Sequence, residues 1–382
     1  MMNTKLIENY LITSSLSTYD PYDIWKTDIG IKIKKLYYKN KYLGILPAAF
    51  ITIYDFYINN NKRNGYSKQE YPITRAQAAI TLINIYKQDK NIEYLKYAKQ
   101  HIDWLLSNSS KGYSGYCWGT GFNIVISDTL TYDKNVPFST NTPYILEALF
   151  NYYQITKEVK ILEIIKSIYN FYESDILILK EDEEILITSY GPFKDRVVTN
   201  AVSYTMFAYS IFYQVMDEEK EYIEKKIHKM YNFLVSVQQD DGSWFYAPYD
   251  NNSFIDCFHS AFVLKNIIKT EKIINFKNQS LVTNGYNYIK NNFYDENYKL
   301  FKRFSISNKP SIVKFDLYDN AEMLYLAKLM KDNKLIEELE TSTSQFIYKD
   351  NIYSVLDLFG LKKNKNTLRW AVMPYLLAKS MS

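Results

Sequence analysis

Apolar residues recur at three- and four-residue spacing over fourteen or more positions in a succession of stretches, the period of amphipathic helices. The stretches come in pairs: 73–88 with 91–107, 140–156 with 159–174, 199–216 with 220–239, 254–270 with 274–293, and 316–331 with 334–348. A last stretch, 368–381, has no successor. Ahead of the pairs, Asp20-Pro21-Tyr22-Asp23 caps a segment running to about residue 37, and a further helix-like segment covers 41–58.

The first members of the pairs begin near 73, 140, 199, 254, 316 and 368, a step of about 50–65 residues that marks an internal repeat. Links within a pair are short and polar, as in Gln88-Asp89-Lys90 and Lys331-Asp332-Asn333, which suits antiparallel neighbours. Links between pairs are long and carry a turn with aromatic residues, for example Lys111-Gly112-Tyr113, Glu181-Asp182, Asp241-Gly242, Asp295-Glu296 and Asp350-Asn351. First helices are apolar and rich in small residues (Arg75-Ala76-Gln77-Ala78-Ala79-Ile80), whereas second helices are striped with charge (Glu224-Lys225-Lys226). The former belong inside and the latter outside. Six inner helices need six outer ones; 41–58 is expected to supply the sixth by packing beside the final helix. The predicted fold is all-α, a single (α/α)6 toroid over 1–382. Residues 1–40 form its lead and capping segment, and short β-hairpin arms lie on the face where the inner helices start.

Composition narrows the function. The 382 residues hold 47% hydrophobic and 23% charged side chains with a net charge of +4, globular values too balanced for a dedicated nucleic-acid binder. No apolar run approaches the roughly 18–20 residues of a membrane span. Two cysteines and an N-terminus without a basic start and apolar core predict a cytoplasmic protein.

In a ring of this kind every inner helix starts at one end, where free N–H groups and partial positive charge favour anions. The candidate chemistry clusters there. Asp256, His259, Asp316 and Tyr318 open two inner helices; Asn141, Asn200 and Tyr204 open two others; Arg369 and Trp370 begin the last. Asp and Asn at such positions also serve as helix caps, a role that does not explain His259, Tyr318 or Arg369. His101 and His228 fall in outer helices, where a solvated role is expected. Only five arginines stand against 41 lysines, and four of them (Arg75, Arg196, Arg303, Arg369) fall on this face or its loops. A forked, permanently charged donor suits carboxylate or phosphate. Trp118 and Trp244 in the arms could face sugar rings or simply bury the loops. Cys117, Cys257 and His259 have poor zinc spacing, so no metal and no cofactor is expected.

Gln238-x-x-Asp241-Gly242-Ser243-Trp244 resembles the QW-type turn of terpene cyclases and prenyltransferase-like toroids, without the cyclases' Asp-rich motifs. Tyr116-Cys117-Trp118-Gly119 echoes the lanthionine-synthetase toroids. Asp20-Pro21-Tyr22-Asp23, the run from Tyr113 to Phe122, Thr140-Asn141-Thr142-Pro143, Asn200-Ala201, Ile255-Asp256-x-Phe258-His259 and Arg369-Trp370 together resemble a further family. It comprises cytoplasmic toroids linked to bacterial O-antigen, capsule and exopolysaccharide gene clusters. That family tends to carry Asp-x-His on its fifth inner helix, where this chain has Asp316-Leu317-Tyr318. Uronate C5-epimerases, unsaturated glucuronyl hydrolases and sugar 2-epimerases are related helical toroids whose full signatures are absent.

The resemblance implies a carbohydrate-active enzyme of surface-polysaccharide biosynthesis, with a saccharide or glycoconjugate as its partner. An anionic, uronate-type sugar would undergo C5 epimerisation or elimination. His259 and Tyr318 would form the acid–base pair, Asp256 or Asp316 would orient them, and Arg196 and Arg369 would hold the carboxylate. Trp118, Asn141, Asn200, Tyr204, Trp244 and Trp370 would complete the binding surface. Two other readings are a glycoside hydrolase using Asp256 and Asp316 as paired carboxylates, and a non-catalytic glycan-binding or scaffold protein.

Overall fold

Six inner helices form a closed ring in the computed structural model, which describes residues 4–194, 196–307 and 311–381. After a short N-terminal helix, α1 (Thr4–Tyr10), come α2 (Asp28–Lys39) and α3 (Lys41–Ile53), the latter continuing into a π-helical turn, Tyr54–Asn59. The inner helices are α4 (Pro72–Asp89), α6 (Thr142–Thr156), α8 (Thr199–Tyr213), α10 (Cys257–Ile274), α12 (Leu317–Met330) and α14 (Met373–Ser380). Five outer helices alternate with them: α5 (Ile92–Ser107), α7 (Val159–Ser174), α9 (Lys220–Ser236), α11 (Gln279–Phe293) and α13 (Asn333–Ser342). Each inner helix packs on the next, and α14 packs on both α12 and α4, which closes the toroid. Hydrogen bonds latch the seam: Asn84 to the Ser380 hydroxyl at 3.1 Å, Gln88 to the Ser380 carbonyl at 2.7 Å, and Lys328 to the Met381 carbonyl at 2.9 Å.

The inner helices are buried on every side, as their composition requires; all but one of the fifteen residues of α8 are buried. Several polar groups inside the ring are paired, although both Gln77 amide atoms and the Thr270 hydroxyl find no partner among the described residues. Tyr144 and Tyr204 share a 2.6 Å hydroxyl contact, and Lys265–Glu322 and Lys269–Glu147 are ion pairs at 2.5 and 2.6 Å. The predicted arms appear as short antiparallel pairs, Ile178–Glu181 with Leu186–Thr188, Tyr294–Asp295 with Leu300–Phe301, and Ile347–Tyr348 with Asn351–Asp357. The Asp241-Gly242 arm is extended rather than a hairpin and pairs through Ile255–Asp256 with Phe304–Ile306.

Two expectations fail. The segment 41–58 is not the sixth outer helix. Asn40 alone separates α2 from α3, ending the first and capping the second through Tyr42 N and Leu43 N, so α3 must fold back on α2. Gly44 lets the two backbones touch: a Cβ there would lie 2.3 Å from Tyr37 Cα. The N-terminal helix is instead tied to the ring, with Ile7, Tyr10 and Leu11 buried in the common core.

His101, the second failure, is not solvated. It is 2% exposed, wedged between Arg75 Nη1 at 2.9 Å and the Leu11 carbonyl at 2.7 Å. A carbonyl only accepts, so Nε2 carries the proton and Nδ1 receives Arg75: the ring is neutral. Burial, with the Arg75 charge acting in the same direction, lowers its pKa to about 4. The folded pKa lies below the ordinary 6.5, so this contribution to stability is complete above about pH 6.5 and is lost as pH falls toward 4. Denaturant midpoints measured from pH 7 to pH 4.5 should fall, and less steeply in His101→Gln. Equal slopes would remove this account.

Candidate functional site at the inner-helix N-termini

Asp256 and Asp316 are both the caps of their helices and partners of site residues. Asp256 precedes α10 and accepts from His259 N at 3.2 Å; the same carboxylate faces His259 Nδ1 through both oxygens, at 2.9 and 2.8 Å. A carboxylate here only accepts, so Nδ1 is the N–H and Nε2 is left without a partner among the described residues. Asp256 is 3% exposed, whereas 21% of the His259 side chain is accessible. Tyr246 (4.7 Å), Phe258 (4.1 Å) and Phe262 (5.9 Å) surround the imidazole. The arrangement orients one nitrogen and leaves the other for proton transfer.

A second cluster is built around Arg303, which lies in the loop before α12. Its guanidinium pairs with Asp316, donates from Nε to Asp319 at 3.1 Å and from Nη1 to the Tyr22 hydroxyl at 3.3 Å, and covers the Phe258 and Trp370 rings. Asp316 also accepts from Trp370 Nε1 at 2.9 Å and caps α12 through Tyr318 N at 2.8 Å. Two carboxylates on one cation leave an excess negative charge out of water. Burial and the neighbouring Asp316 push Asp319 up to about 8 against the opposing pull of Arg303.

Tyr318 stacks on Trp370 at 4.4 Å, and Phe258 and Phe262 each touch both Tyr318 and His259. Burial, with Glu322 adding to it, raises the Tyr318 hydroxyl well above its ordinary pKa, which keeps it a proton donor. Arg196 lies over Tyr246 at 5.4 Å with half of its side chain exposed, and pairs with Asp250 at 3.1 Å. Asn200 is buried at the start of α8 with its Oδ1 unpartnered, and Asn141 is half-buried before α6 without capping it.

Several expected binders are structural. Trp118 is fully buried with Nε1 on the Leu105 carbonyl at 2.8 Å, and Trp244 is 3% exposed with Nε1 on Leu234 O at 2.9 Å. A Cβ on Gly285 would meet the Trp244 ring at 2.6 Å, so that indole fills a slot in α11. Neither tryptophan offers a face to a sugar. The Tyr204 hydroxyl is consumed by Tyr144 inside the ring. The arginines find carboxylates of this chain: Arg75 pairs with Glu70, Arg303 with Asp316 and Asp319, and Arg369 Nε with Asp20 at 2.5 Å. Asp256 faces His259, and Asp316 meets Arg303 and Trp370 Nε1.

Tyr22, Asp20, Lys26 and Asp319 were missed. The signal available was the Asp20-Pro21-Tyr22-Asp23 motif, which crosses the ring face: Asp20 meets Arg369 and Lys26, and Tyr22 meets Arg303 and the edge of Trp370. A cavity of about 1020 Å³ lies against this region. Tyr22, Lys26, Arg369 and Trp370 line its inner wall, and Tyr38 and Ile53 of the α2–α3 hairpin belong to its outer one. Cys117 and Cys257 are buried and free, and among the described residues no group of three His, Cys, Asp or Glu side chains could hold a metal ion.

No protein-family model matches the chain, and no curated protein matches it. Solved structures do. A cellobiose 2-epimerase from Bacillus thermoamylovorans is 14% identical with a TM-score of 0.64, over 81% of this chain and 86% of that one. A GH76 α-mannanase from Bacteroides thetaiotaomicron is 12% identical with a TM-score of 0.59, over 94% and 98%. A polysaccharide lyase is 11% identical with a TM-score of 0.58, over 93% and 97%. At these identities the likeness is one of fold: this is an (α/α)6 toroid shared with carbohydrate-processing enzymes.

Proposed function

We propose that the protein is a carbohydrate-active enzyme that transfers a proton at the carbon beside a sugar carboxylate, C5 of a uronate residue. The observation that carries this reading is the Asp256–His259 pair, with Nδ1 held by both carboxylate oxygens and Nε2 left free. His259 Nε2 takes the C5 proton, and the electron pair moves into the carboxylate as an enediolate. Arg196, one aromatic ring away over Tyr246, supplies the positive charge for it. Return of a proton to the opposite face of C5, from the Tyr318 hydroxyl, gives the epimer. Loss of the C4 oxygen substituent instead gives the unsaturated sugar, the leaving oxygen taking up a proton. Fold neighbours that are sugar epimerases and a polysaccharide lyase support this class of chemistry. The resemblance to surface-polysaccharide toroids supports a capsule- or O-antigen-type glycoconjugate as the substrate, handled in the cytoplasm.

Incubation with uronate-containing oligosaccharides in heavy water tests it. Deuterium should appear at C5, even where net conversion is small, because epimerisation runs both ways. Solvent oxygen at a cleaved anomeric carbon with C5 unlabelled would show a hydrolase; binding without either label would show a glycan-binding protein. Either result would remove the proton-transfer reading.

A further inference from the structure

Helix α3 is built from residues that avoid water, yet water is what surrounds it. Nine of its thirteen residues, KYLGILPAAFITI, are hydrophobic, and Gly44 is its only buried one. Tyr42 is 90% exposed, Leu46 76%, Phe50 71% and Leu43 64%, and Ile29 on α2 and Ile58 in the π turn are exposed as well. A contiguous apolar surface on this scale marks an interaction site. The ring does not cover it, because α3 is folded back on α2.

Length and charge identify the occupant. At about 1.5 Å per residue, α3 spans only about 20 Å, short of the roughly 30 Å hydrocarbon core of a bilayer. Among the described residues no helix is long and apolar enough to cross a membrane. Such a helix can lie in the interface. Between residues 28 and 59 five lysines (Lys32, Lys34, Lys35, Lys39, Lys41) face only Asp28 and Asp55, so this segment holds an excess of three in a chain whose net charge is +4. Asp55 is buried, which leaves the outer surface more cationic still. Two copies meeting through this hairpin would bring like charges together, whereas anionic lipid headgroups would neutralise them. Tyr37, Tyr38, Tyr42 and Tyr54 add amphipathic rings suited to headgroup depth.

We infer that the α2–α3 hairpin docks on an anionic lipid bilayer surface, with α3 lying in the interface and the lysines on the headgroups. The hairpin is also the outer wall of the cavity that ends at Arg369 and Trp370, so docking holds that cavity beside the bilayer. This goes beyond the proposed reaction and does not depend on it.

Co-sedimentation of the full chain with phosphatidylglycerol-rich vesicles, against pure phosphatidylcholine vesicles, tests the inference without any substrate. Binding should be at least about 10-fold tighter to the anionic vesicles and weaken with salt. Leu46→Asp with Phe50→Asp, at side chains already exposed, should abolish pelleting while circular dichroism stays unchanged. Lys32→Gln with Lys39→Gln and Lys41→Gln should weaken binding by about 10–100-fold. No pelleting, equal binding to both lipids, or binding unmoved by these substitutions would overturn it. So would a dimer in analytical ultracentrifugation that Leu46→Asp/Phe50→Asp dissolves, since the hairpin would then serve a second copy of the chain.

Discussion

Replacing His259 with alanine is expected to lower solvent deuterium incorporation at C5 by about 10²–10⁴-fold, the usual contribution of a positioned acid or base. The fold should survive, because His259 is a partly exposed side chain and Asp256 would still cap α10 through its own carboxylate. Asp256→Asn separates orientation from basicity. An Asn keeps the cap, but its amide can donate to Nδ1 and so favours the tautomer that places the proton on Nε2. The loss should then be about 10²-fold or more with little change in stability. Two enzymes with equal losses in KM and unaltered kcat would point to binding instead. Undiminished exchange in His259→Ala would assign the base elsewhere.

The ring was legible because its signal is redundant. Residues 199–213 are apolar, small and buried all round, and the same pattern recurs at a regular step, so no single helix decides the fold. Counting misplaced 41–58. Six inner helices called for six outer ones, and the period cannot say that Asn40 is too short a link to carry α3 across to α14. Asp256 and His259 were legible for a local reason: three residues apart at a helix start, they meet within one turn. Arg303 was legible as an arginine of this face, but its partners were not: they lie 13, 16 and 281 residues away, and it sits in a loop without periodicity. The last inner helix also hid a break. Trp370 leaves helical geometry and Ala371 takes φ 88°, ψ −45°, a costly left-handed conformation for a residue with a Cβ. That kink sits beside Arg369 and Trp370, which meet Asp20 and Asp316. Sequence periodicity runs through it unbroken.

The second large effect is expected from Arg303→Met, and it concerns stability. Methionine fills much of the arginine's volume but removes the cation from Asp316, Asp319 and Tyr22 together. Both carboxylates are essentially inaccessible, at 1% and 0% exposure. Stripping one partner from a buried ion pair costs about 3–5 kcal/mol. Arg303→Lys should recover part of this loss, since it keeps the charge without the fork that serves two carboxylates at once. The dependence on pH gives the mechanism. Burial, Asp316 and Arg303 together set Asp319 at about 8 in the folded protein, above its unfolded value. Its contribution to stability is therefore complete below about pH 4 and declines as pH rises toward 8. Without Arg303 the opposing pull is gone, the folded pKa rises further, and the decline should extend to higher pH. Urea denaturation at pH 7 and pH 10 should thus show a larger deficit for Arg303→Met at pH 10, and Asp319→Asn added to it should narrow the gap. A deficit independent of pH would mean that lost packing over Phe258 and Trp370, rather than uncompensated charge, is what Arg303 prevents.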